Sequence, residues 1–211
     1  MRPTEAAQLV LSAYKWYRKS ADQYSDGYLR LYHSAAESLT SRKELGRYIT
    51  SKYLDSNQGR ILEVASGTGL VSGELNNGNI ISTDISLESL QILKKGTAVN
   101  SIVGAAFDNL PFVDGIFSTV INVGGYRYVQ DPKRYWSEMK RVIMPGGRVI
   151  IAQFHPRISQ IKGRNLFDEN EFNNHSFSCT QKDEFFSHVD LGNGKLEINT
   201  GCYEIFVFTR L

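Results

Sequence analysis

The sequence has few cysteines and no long run of apolar residues. Its two cysteines, Cys179 and Cys202, match neither a metal-ligand spacing nor a disulfide framework, so we expect reduced thiols and a cytoplasmic protein. The first residues lack the pattern of a secretory signal, and no segment approaches the roughly 18 uninterrupted apolar residues of a membrane-spanning helix. We therefore expect a soluble chain without a membrane segment.

An excess of one charge sign is also absent. The chain has 24 Lys and Arg against 22 Asp and Glu, which gives a formal net charge of +2. This charge is too small for the broad basic face that sequence-independent nucleic-acid binding requires. The charge balance argues against nucleic acid as a partner, and nothing in the sequence indicates an oligomeric state.

The apolar pattern changes near residue 57. A chain of 211 residues with 41% apolar side chains can bury one core, so we expect a single domain over 1–211. Residues 1–56 have apolar residues at helical spacing and predict a cap of two or three helices. In 57–154, short apolar runs alternate with helical stretches, as in βαβ units. Residues 155–211 contain a polar, Asn-rich segment and then two runs that predict an antiparallel hairpin.

These patterns predict an α/β fold in which a seven-stranded, mostly parallel sheet carries helices on both faces. The predicted strands are 60–64, 79–83, 101–103, 117–123, 148–154, 195–199 and 203–209. Beyond the cap, the predicted helices are 69–76, 86–96, 132–143 and 181–189.

The segment ILEVASGTGLVSG joins the first of these strands to a glycine-containing loop. Gly67 and Gly69 allow the backbone to approach a nucleotide, but Ser72 stands where the motif G-x-G-x-x-G has its third glycine. Glu63, within the strand, would repel a pyrophosphate and suits a ligand with an ammonium or sulfonium group. Asp84, at the end of the next strand, favours the two hydroxyls of an unphosphorylated ribose. Adenosine with a cationic tail fits both carboxylates.

These motifs resemble those of the class I S-adenosylmethionine-dependent methyltransferases, in particular the type called methyltransferase type 11. ILEVASGTG and STDISLESL are similar to the first two motifs of that family. NLPFVDGIFSTVI and YVQDPKRYWSEMKRVIMPGGRVIIA are similar to its segments around the fourth and fifth strands. The resemblance covers about 60–154 and implies a Rossmann-like fold, an N-terminal helical lid and S-adenosyl-L-methionine as cofactor. It also implies methyl transfer to a small-molecule acceptor by in-line displacement.

The resemblance further implies which residues bind the cofactor. Ala65, Gly67 and Gly69 line the methionine moiety through their backbone, and Glu63 orients this loop or the amino group. Asp84 holds the ribose. The side chains of Ile85 and Phe107 lie near the adenine. Packing in the protein core is an equally weighted alternative role for both. The complete predicted set is Glu63, Ala65, Gly67, Gly69, Asp84, Ile85, Phe107, Asp108 and Asn122.

The sequence departs from the family pattern at three places. Ala65 stands at the first glycine of the motif, and we expect the backbone to tolerate it because that glycine serves close packing. The segment GAAF stands where the family has Gly-Asp-Ala, whose Asp accepts from the adenine amino group, and Asp108 is the candidate replacement. Ser118 replaces an Asp at the start of the fourth strand.

Candidate catalytic residues follow the fourth and fifth strands, because ligands bind at the carboxyl ends of strands in this kind of sheet. His155 is the first candidate for a general base, with a capping or surface role as its alternative. Tyr126 and Arg127 are candidates for orienting an acceptor, whereas Tyr128 is expected to be structural. No residue pattern indicates a metal, and none is expected.

Three other functions stay open on the sequence alone. A nicotinamide-dependent oxidoreductase needs a pyrophosphate site, against which Glu63 and Ser72 argue. A relative that kept the fold but lost catalysis would act as a cofactor-binding or scaffold module, and the GAAF segment is compatible with it. An RNA methyltransferase needs clustered Lys and Arg around the site, whereas those of the helix 132–143 are expected to face solvent.

Overall fold

A computed structural model describes residues 40–54, 59–75, 79–96, 101–154, 179–192, 194–199 and 203–211. Its strands are β1 (Ile61–Val64), β2 (Ile80–Asp84), β3 (Ser101–Gly104), β4 (Phe117–Val123), β5 (Ile143–Phe154), β6 (Gly194–Asn199) and β7 (Tyr203–Thr209). Its α-helices are α1 (Thr40–Tyr53), α2 (Leu87–Gly96), α3 (Pro132–Val142) and α4 (Cys179–Ser187).

The strands form one seven-stranded sheet with the order β3-β2-β1-β4-β5-β7-β6. Neighbouring strands from β3 to β5 are parallel, whereas β7 is antiparallel to β5 and β6 is antiparallel to β7. The predicted sheet and its C-terminal hairpin are therefore confirmed. The strand order reverses between β1 and β4, and ligands of such sheets bind outside the carboxyl ends of the strands at this point.

Helices cover both faces of the sheet, as predicted. Alternate residues of the central strands point to opposite faces. On one face, Leu62 and Val120 belong to a buried cluster with Trp136 of α3. On the other face, Ile61 and Ile121 belong to a buried cluster with apolar side chains of α1 and α2. Burial on both faces explains why β1 and β4 are almost continuously apolar in sequence.

The predicted helix 69–76 is replaced by a single 3₁₀ turn, Ser72–Glu74, in the residues that the structure describes. Gly69 has a φ of 87°, which lies outside the helical region, so a helix cannot include it. The N–H groups of Val71 and Ser72 donate to the side chain of Glu63 instead of facing a ligand.

Two further elements differ from their predicted bounds. Strand β5 begins at Ile143, which pairs with Phe117, and its pairing with β4 shifts before it resumes at Arg148 and Thr119. Helix α1 packs Leu45 into the sheet core, where the sequence predicted only a helical cap.

The remainder of the predicted cap, 1–39, lies outside the described residues. The N-terminal lid therefore stays a prediction, as does the single-domain organisation over 1–211. Within the described part of the chain, no helix has both the length and the apolar character needed to cross a membrane.

Candidate functional site

The carboxylate of Asp84 lies at the carboxyl end of β2 and is held by the backbone. Its Oδ2 accepts a hydrogen bond from the N–H of Gly67 at 2.8 Å, and its Oδ1 accepts one from the N–H of Ser86 at 2.8 Å. Burial raises the pKa of Asp84, and the backbone N–H groups oppose this rise. Because a carboxylate has about four acceptor positions, Asp84 keeps acceptor capacity for a hydroxyl group of a ligand.

Glu63 is buried within β1 and holds the loop that follows it. Its Oε1 accepts from the N–H of Val71 at 3.2 Å, and its Oε2 accepts from the N–H of Ser72 at 3.1 Å. Burial raises the pKa of Glu63, whereas the hydroxyl of Ser72 and the two N–H groups lower it. Of the two roles expected for Glu63, orienting the loop is the one that these contacts support.

The loop after β1 has a positive φ at three of the predicted cofactor residues. The φ angle is 50° at Ala65, 54° at Gly67 and 87° at Gly69. A Cβ added at Gly67 would meet no atom of the described residues within 4 Å, so none of these residues covers the backbone there. At Ala65, the same region is disfavoured by the β-carbon. The close packing expected at this position is therefore joined by a second requirement, an unusual backbone angle.

Three other predicted residues border this loop or follow the next strands. A side chain at Gly69 would overlap Leu93 of α2, so Gly69 lets the loop approach that helix. Ile85 is partly buried directly after Asp84. Phe107 is partly buried and packs edge-on against Tyr135, with ring centroids 5.5 Å apart. The Phe107 ring therefore contributes to the core, which was the alternative role expected for it.

The backbone of Asp108 contacts helix α3. Its carbonyl oxygen accepts a hydrogen bond from Nε of Arg134 at 3.0 Å, which ties the segment after β3 to α3. The role of Asp108 in adenine recognition stays a prediction.

Asn122 lies in β4, level with Val64 of β1, and is fully buried. Its Nδ2 donates to the hydroxyl of Tyr135 at 3.0 Å. Its Oδ1 has no hydrogen-bond partner among the residues that the structure describes. Because a buried carbonyl oxygen without a donor costs about 1–3 kcal/mol, a donor at this position would be favourable.

The expected acceptor-orienting residues fall in the 3₁₀ turn Gly125–Tyr128. Tyr126 is fully buried, and its ring lies 5.1 Å from that of Phe185 between centroids. This burial argues against the acceptor contact expected for Tyr126. Tyr128, expected to be structural, is 45% exposed. The side chain of Arg127 and all of His155 lie outside the described residues.

Two residues that fix the site were missed in the sequence. Ser86 could have been found, because an Asp side chain commonly accepts a hydrogen bond from the backbone N–H two residues later and so forms a local turn. Tyr135 could not, because its contact with Asn122 joins α3 to β4 and depends on the packing of the helix against the sheet.

Three backbone N–H groups after β1 that could face a phosphate donate to carboxylates instead. Gly67 donates to Asp84, and Val71 and Ser72 donate to Glu63. In dinucleotide-binding folds, N–H groups of the corresponding loop and helix face the pyrophosphate. The arrangement therefore argues against a pyrophosphate and fits a nucleoside with an uncharged ribose.

Comparison with known proteins agrees with this geometry. Residues 62–151 match the family model of a methyltransferase domain. The matched segment therefore resembles the methyltransferase domain of the class I S-adenosylmethionine-dependent methyltransferases. This match agrees with the predicted family and supports S-adenosylmethionine as the cofactor, and it does not favour a nicotinamide cofactor.

Relatives of this chain include two curated enzymes. Over 119 residues it is 34% identical to the ubiquinone/menaquinone biosynthesis C-methyltransferase UbiE of Geotalea daltonii. The aligned segment covers 51% of this chain and 51% of that protein. Over 100 residues it is 35% identical to the demethylmenaquinone methyltransferase of Renibacterium salmoninarum, covering 46% of this chain and 42% of that protein. The chain thus spans about half the length of these relatives or less.

The fold of this chain is also found in solved structures. A protein from Methanococcus maripaludis matches with a TM-score of 0.70 and 15% identity over 89% of this chain and 94% of that one. A SAM-dependent methyltransferase from Aquifex aeolicus matches with a TM-score of 0.64 and 13% identity over 84% of this chain and 98% of that one. These matches confirm the Rossmann-like fold.

Proposed function

We propose that this protein transfers a methyl group from S-adenosylmethionine to a small-molecule acceptor. The observation that carries the proposal is the pair of 2.8 Å hydrogen bonds from Gly67 and Ser86 that fixes the Asp84 carboxylate. This carboxylate keeps acceptor capacity for sugar hydroxyls, because a carboxylate has about four acceptor positions. The family assignment of residues 62–151 supports the same cofactor.

The residues after β1 and in β4 fit the other end of such a ligand. Glu63 keeps the loop in place, and none of the described residues covers the backbone of Gly67. Asn122 lies level with the end of β1, and its buried Oδ1 has no hydrogen-bond partner among the described residues. When bound, the cofactor supplies an electrophilic methyl group on a sulfonium. The chain contributes alignment, which can provide several kcal/mol with about 7–11 kcal/mol as the limit.

We further propose a quinone precursor as the first acceptor to test, with a ring carbon as the methylated atom. The support comes from the relatives, whose names place one as a C-methyltransferase of ubiquinone and menaquinone biosynthesis and the other as a demethylmenaquinone methyltransferase. Residues 155–178 lie outside the described part of the chain, so the proposed acceptor rests on these relatives. The roles of His155 and Arg127 stay predictions, as does the cytoplasmic location.

A cofactor-binding relative without catalysis is the second candidate. The segment 104–107 is Gly-Ala-Ala-Phe and provides no side-chain acceptor for the amino group of adenine. Such a protein would bind the cofactor but would release no methylated product with any acceptor.

The first experiment is isothermal titration calorimetry with S-adenosylmethionine, S-adenosylhomocysteine and NADH. We expect the two adenosyl ligands to bind the wild type. They should not bind Asp84→Ala, and they should bind Glu88→Gln with wild-type affinity. Glu88 is a suitable control because it is an exposed carboxylate at the start of α2. If neither adenosyl ligand bound the wild type, the proposed function would be wrong.

The second experiment separates the two candidates. The protein is incubated with S-adenosylmethionine that carries an isotopically labelled methyl group and with a reduced demethylnaphthoquinone. Mass spectrometry then locates the label. Label on a ring carbon of the quinone supports the proposed acceptor. Binding of the cofactor without label on this or any other acceptor class supports the cofactor-binding relative.

A further inference from the structure

The turn after β4 packs directly on the loop after β1 through Ala65 and Gly125. A Cβ added at Gly125 would overlap the Cβ of Ala65 and would lie 2.7 Å from Oδ1 of Asn122. Only glycine therefore fits opposite the Ala65 methyl group. We propose that Ala65, Asn122 and Gly125 form a positioning contact, in which the Ala65 methyl group sets how the turn lies against the cofactor loop. This inference rests on the proposed function.

The backbone angle of Ala65 supports a positioning role for its methyl group. The φ of 50° is a conformation in which glycine is favoured over residues with a β-carbon. Strained residues of this kind persist where the surrounding structure holds them, and they concentrate at binding sites. A glycine at position 65 would relieve the strain and keep every backbone hydrogen bond. The methyl group of Ala65 therefore lowers stability locally, and its contribution is the contact with Gly125.

Asn122 forms the second side of the contact and is fixed in place. Its Nδ2 donates to the Tyr135 hydroxyl at 3.0 Å, so the amide cannot rotate away from the turn without losing this bond. Its Oδ1 lies 2.7 Å from the position that a Cβ at Gly125 would occupy. The methyl group of Ala65 and the amide of Asn122 thus leave a gap that fits a glycine backbone.

The strand order places this contact at one end of the proposed cofactor. Asp84 ends β2, Ala65 follows β1, and Gly125 follows β4, and the three strands are neighbours in the order β2-β1-β4. A nucleoside bound through its ribose to Asp84 and extended along the strand ends brings its tail beside Ala65 and Gly125. A change in the contact should therefore affect ligands that carry the amino-acid tail more than ligands that lack it.

The test compares Ala65→Gly, Gly125→Ala and the double variant. Calorimetry measures the affinity for S-adenosylhomocysteine and for 5′-methylthioadenosine, which has the same nucleoside without the amino-acid tail. Thermal unfolding is measured in parallel. Gly125→Ala is expected to weaken S-adenosylhomocysteine binding by about tenfold or more and to lower the Tm by about 4–8 °C. Its affinity for 5′-methylthioadenosine should change less than about threefold.

The Ala65→Gly variant separates positioning from a purely structural role. It is expected to keep or raise the Tm, because the strain is removed, and yet to weaken S-adenosylhomocysteine binding by about three- to tenfold. In the double variant, Ala65→Gly makes room for the new methyl group, so Tm and affinity should recover relative to Gly125→Ala. The control is Gly124→Ala, because Gly124 also has a positive φ of 73° but a Cβ there would meet no atom within 4 Å. Adding Ala65→Gly should not restore the Tm or the affinity of Gly124→Ala.

Each outcome decides the inference. Equal loss of affinity for both ligands, or no recovery in the double variant, would overturn it while leaving the proposed function intact. If Gly125→Ala does not fold, two other measurements test the inference. One is the recovery of folded protein in the double variant. The other is a loss of affinity in Ala65→Gly that is larger for S-adenosylhomocysteine than for 5′-methylthioadenosine. A wild type that bound neither ligand would overturn this inference together with the proposed function.

Discussion

Gly67 donates its backbone N–H to Oδ2 of Asp84 at 2.8 Å, so the loop after β1 is tied to the end of β2. We expect Asp84→Asn to weaken both the fold and the site. The amide oxygen can accept from only one of the two N–H groups of Gly67 and Ser86, and the amide nitrogen then faces the other donor. The free energy of unfolding should fall by about 1–3 kcal/mol. The affinity for S-adenosylhomocysteine should fall at least about tenfold.

Urea denaturation and calorimetry measure the two effects of Asp84→Asn. Glu88→Gln provides the matched control, because Glu88 is exposed on α2 and the substitution also replaces a carboxylate with an amide. Wild-type affinity in Asp84→Asn would show that the Asp84 charge has no part in ligand binding.

The buried carboxylate of Glu63 makes stability depend on pH in a defined direction. Burial raises the pKa of Glu63 in the folded state above its usual value of 4.5. The folded state therefore holds this proton to higher pH than the unfolded state. The stability linked to Glu63 is fully present below about pH 4.5 and is lost as the pH rises through the folded-state pKa.

Comparison with Glu63→Gln isolates this contribution, because glutamine does not titrate and the other groups cancel. We expect the wild type to lose stability relative to Glu63→Gln as the pH rises from about 4 towards neutrality. Urea denaturation at a series of pH values measures the difference in unfolding free energy. A difference that is constant, or that grows in favour of the wild type with rising pH, would contradict the prediction.

The sheet and the two site carboxylates could be predicted from the sequence because local patterns determine them. Short apolar runs mark strands buried on both faces, and Asp84 follows such a run directly. The positions of both carboxylates on their strands follow from this pattern. The hydrogen bonds of Glu63 to Val71 and Ser72 did not follow, because they depend on the path of the loop.

The two tyrosines of the turn after β4 show where the sequence pattern fails. In a 3₁₀ turn of four residues, there is no apolar period that tells which side chain faces the core. Tyr126 is enclosed because Phe185 of α4 lies over it, and α4 is far away in the sequence. The same limit applied to Ala65, since a positive φ cannot be read from residue type when the residue is alanine.

Arg141 ties the segment before β4 to α3, and we expect this contact to be important for stability. Its guanidinium donates to the carbonyl oxygens of Leu110 at 3.0 Å and Phe112 at 2.6 Å, and to the carboxylates of Asp114 and Glu138. A lysine has no forked group that can reach all of these acceptors. Arg141→Lys should therefore lower the free energy of unfolding by about 1–3 kcal/mol.

Lys140→Met provides the control on the same helix. Lys140 pairs with Asp190, whose side chain is 84% exposed, and exposed ion pairs contribute little to stability. Urea denaturation of the two variants should therefore show a clear loss only for Arg141→Lys. Equal stability of Arg141→Lys and the wild type would mean that the charge alone, without the forked geometry, holds the segment.

Glu197 links the edge strand β6 to the end of α1, and this link should weaken in acid. The hydroxyl of Tyr53 donates to Oε2 of Glu197 at 2.6 Å, and Nζ of Lys195 lies 3.1 Å from Oε1. These groups, with the Tyr53 hydroxyl as the largest cause, lower the pKa of Glu197 below its usual 4.5. The stability linked to Glu197 is therefore present above about pH 4.5 and is lost as the pH falls through the folded-state pKa.

We expect Glu197→Gln to be less stable than the wild type near neutral pH by roughly 1 kcal/mol, the size of one hydrogen bond. Because only the wild type loses stability from this carboxylate in acid, the difference should shrink as the pH is lowered below about 4.5. Asp190→Asn, at an exposed carboxylate, should show no comparable change. Denaturation of the three proteins across this pH range measures both differences. A Glu197→Gln difference that stayed constant in acid would mean that the shape of the side chain, not its charge, makes the contact with Tyr53.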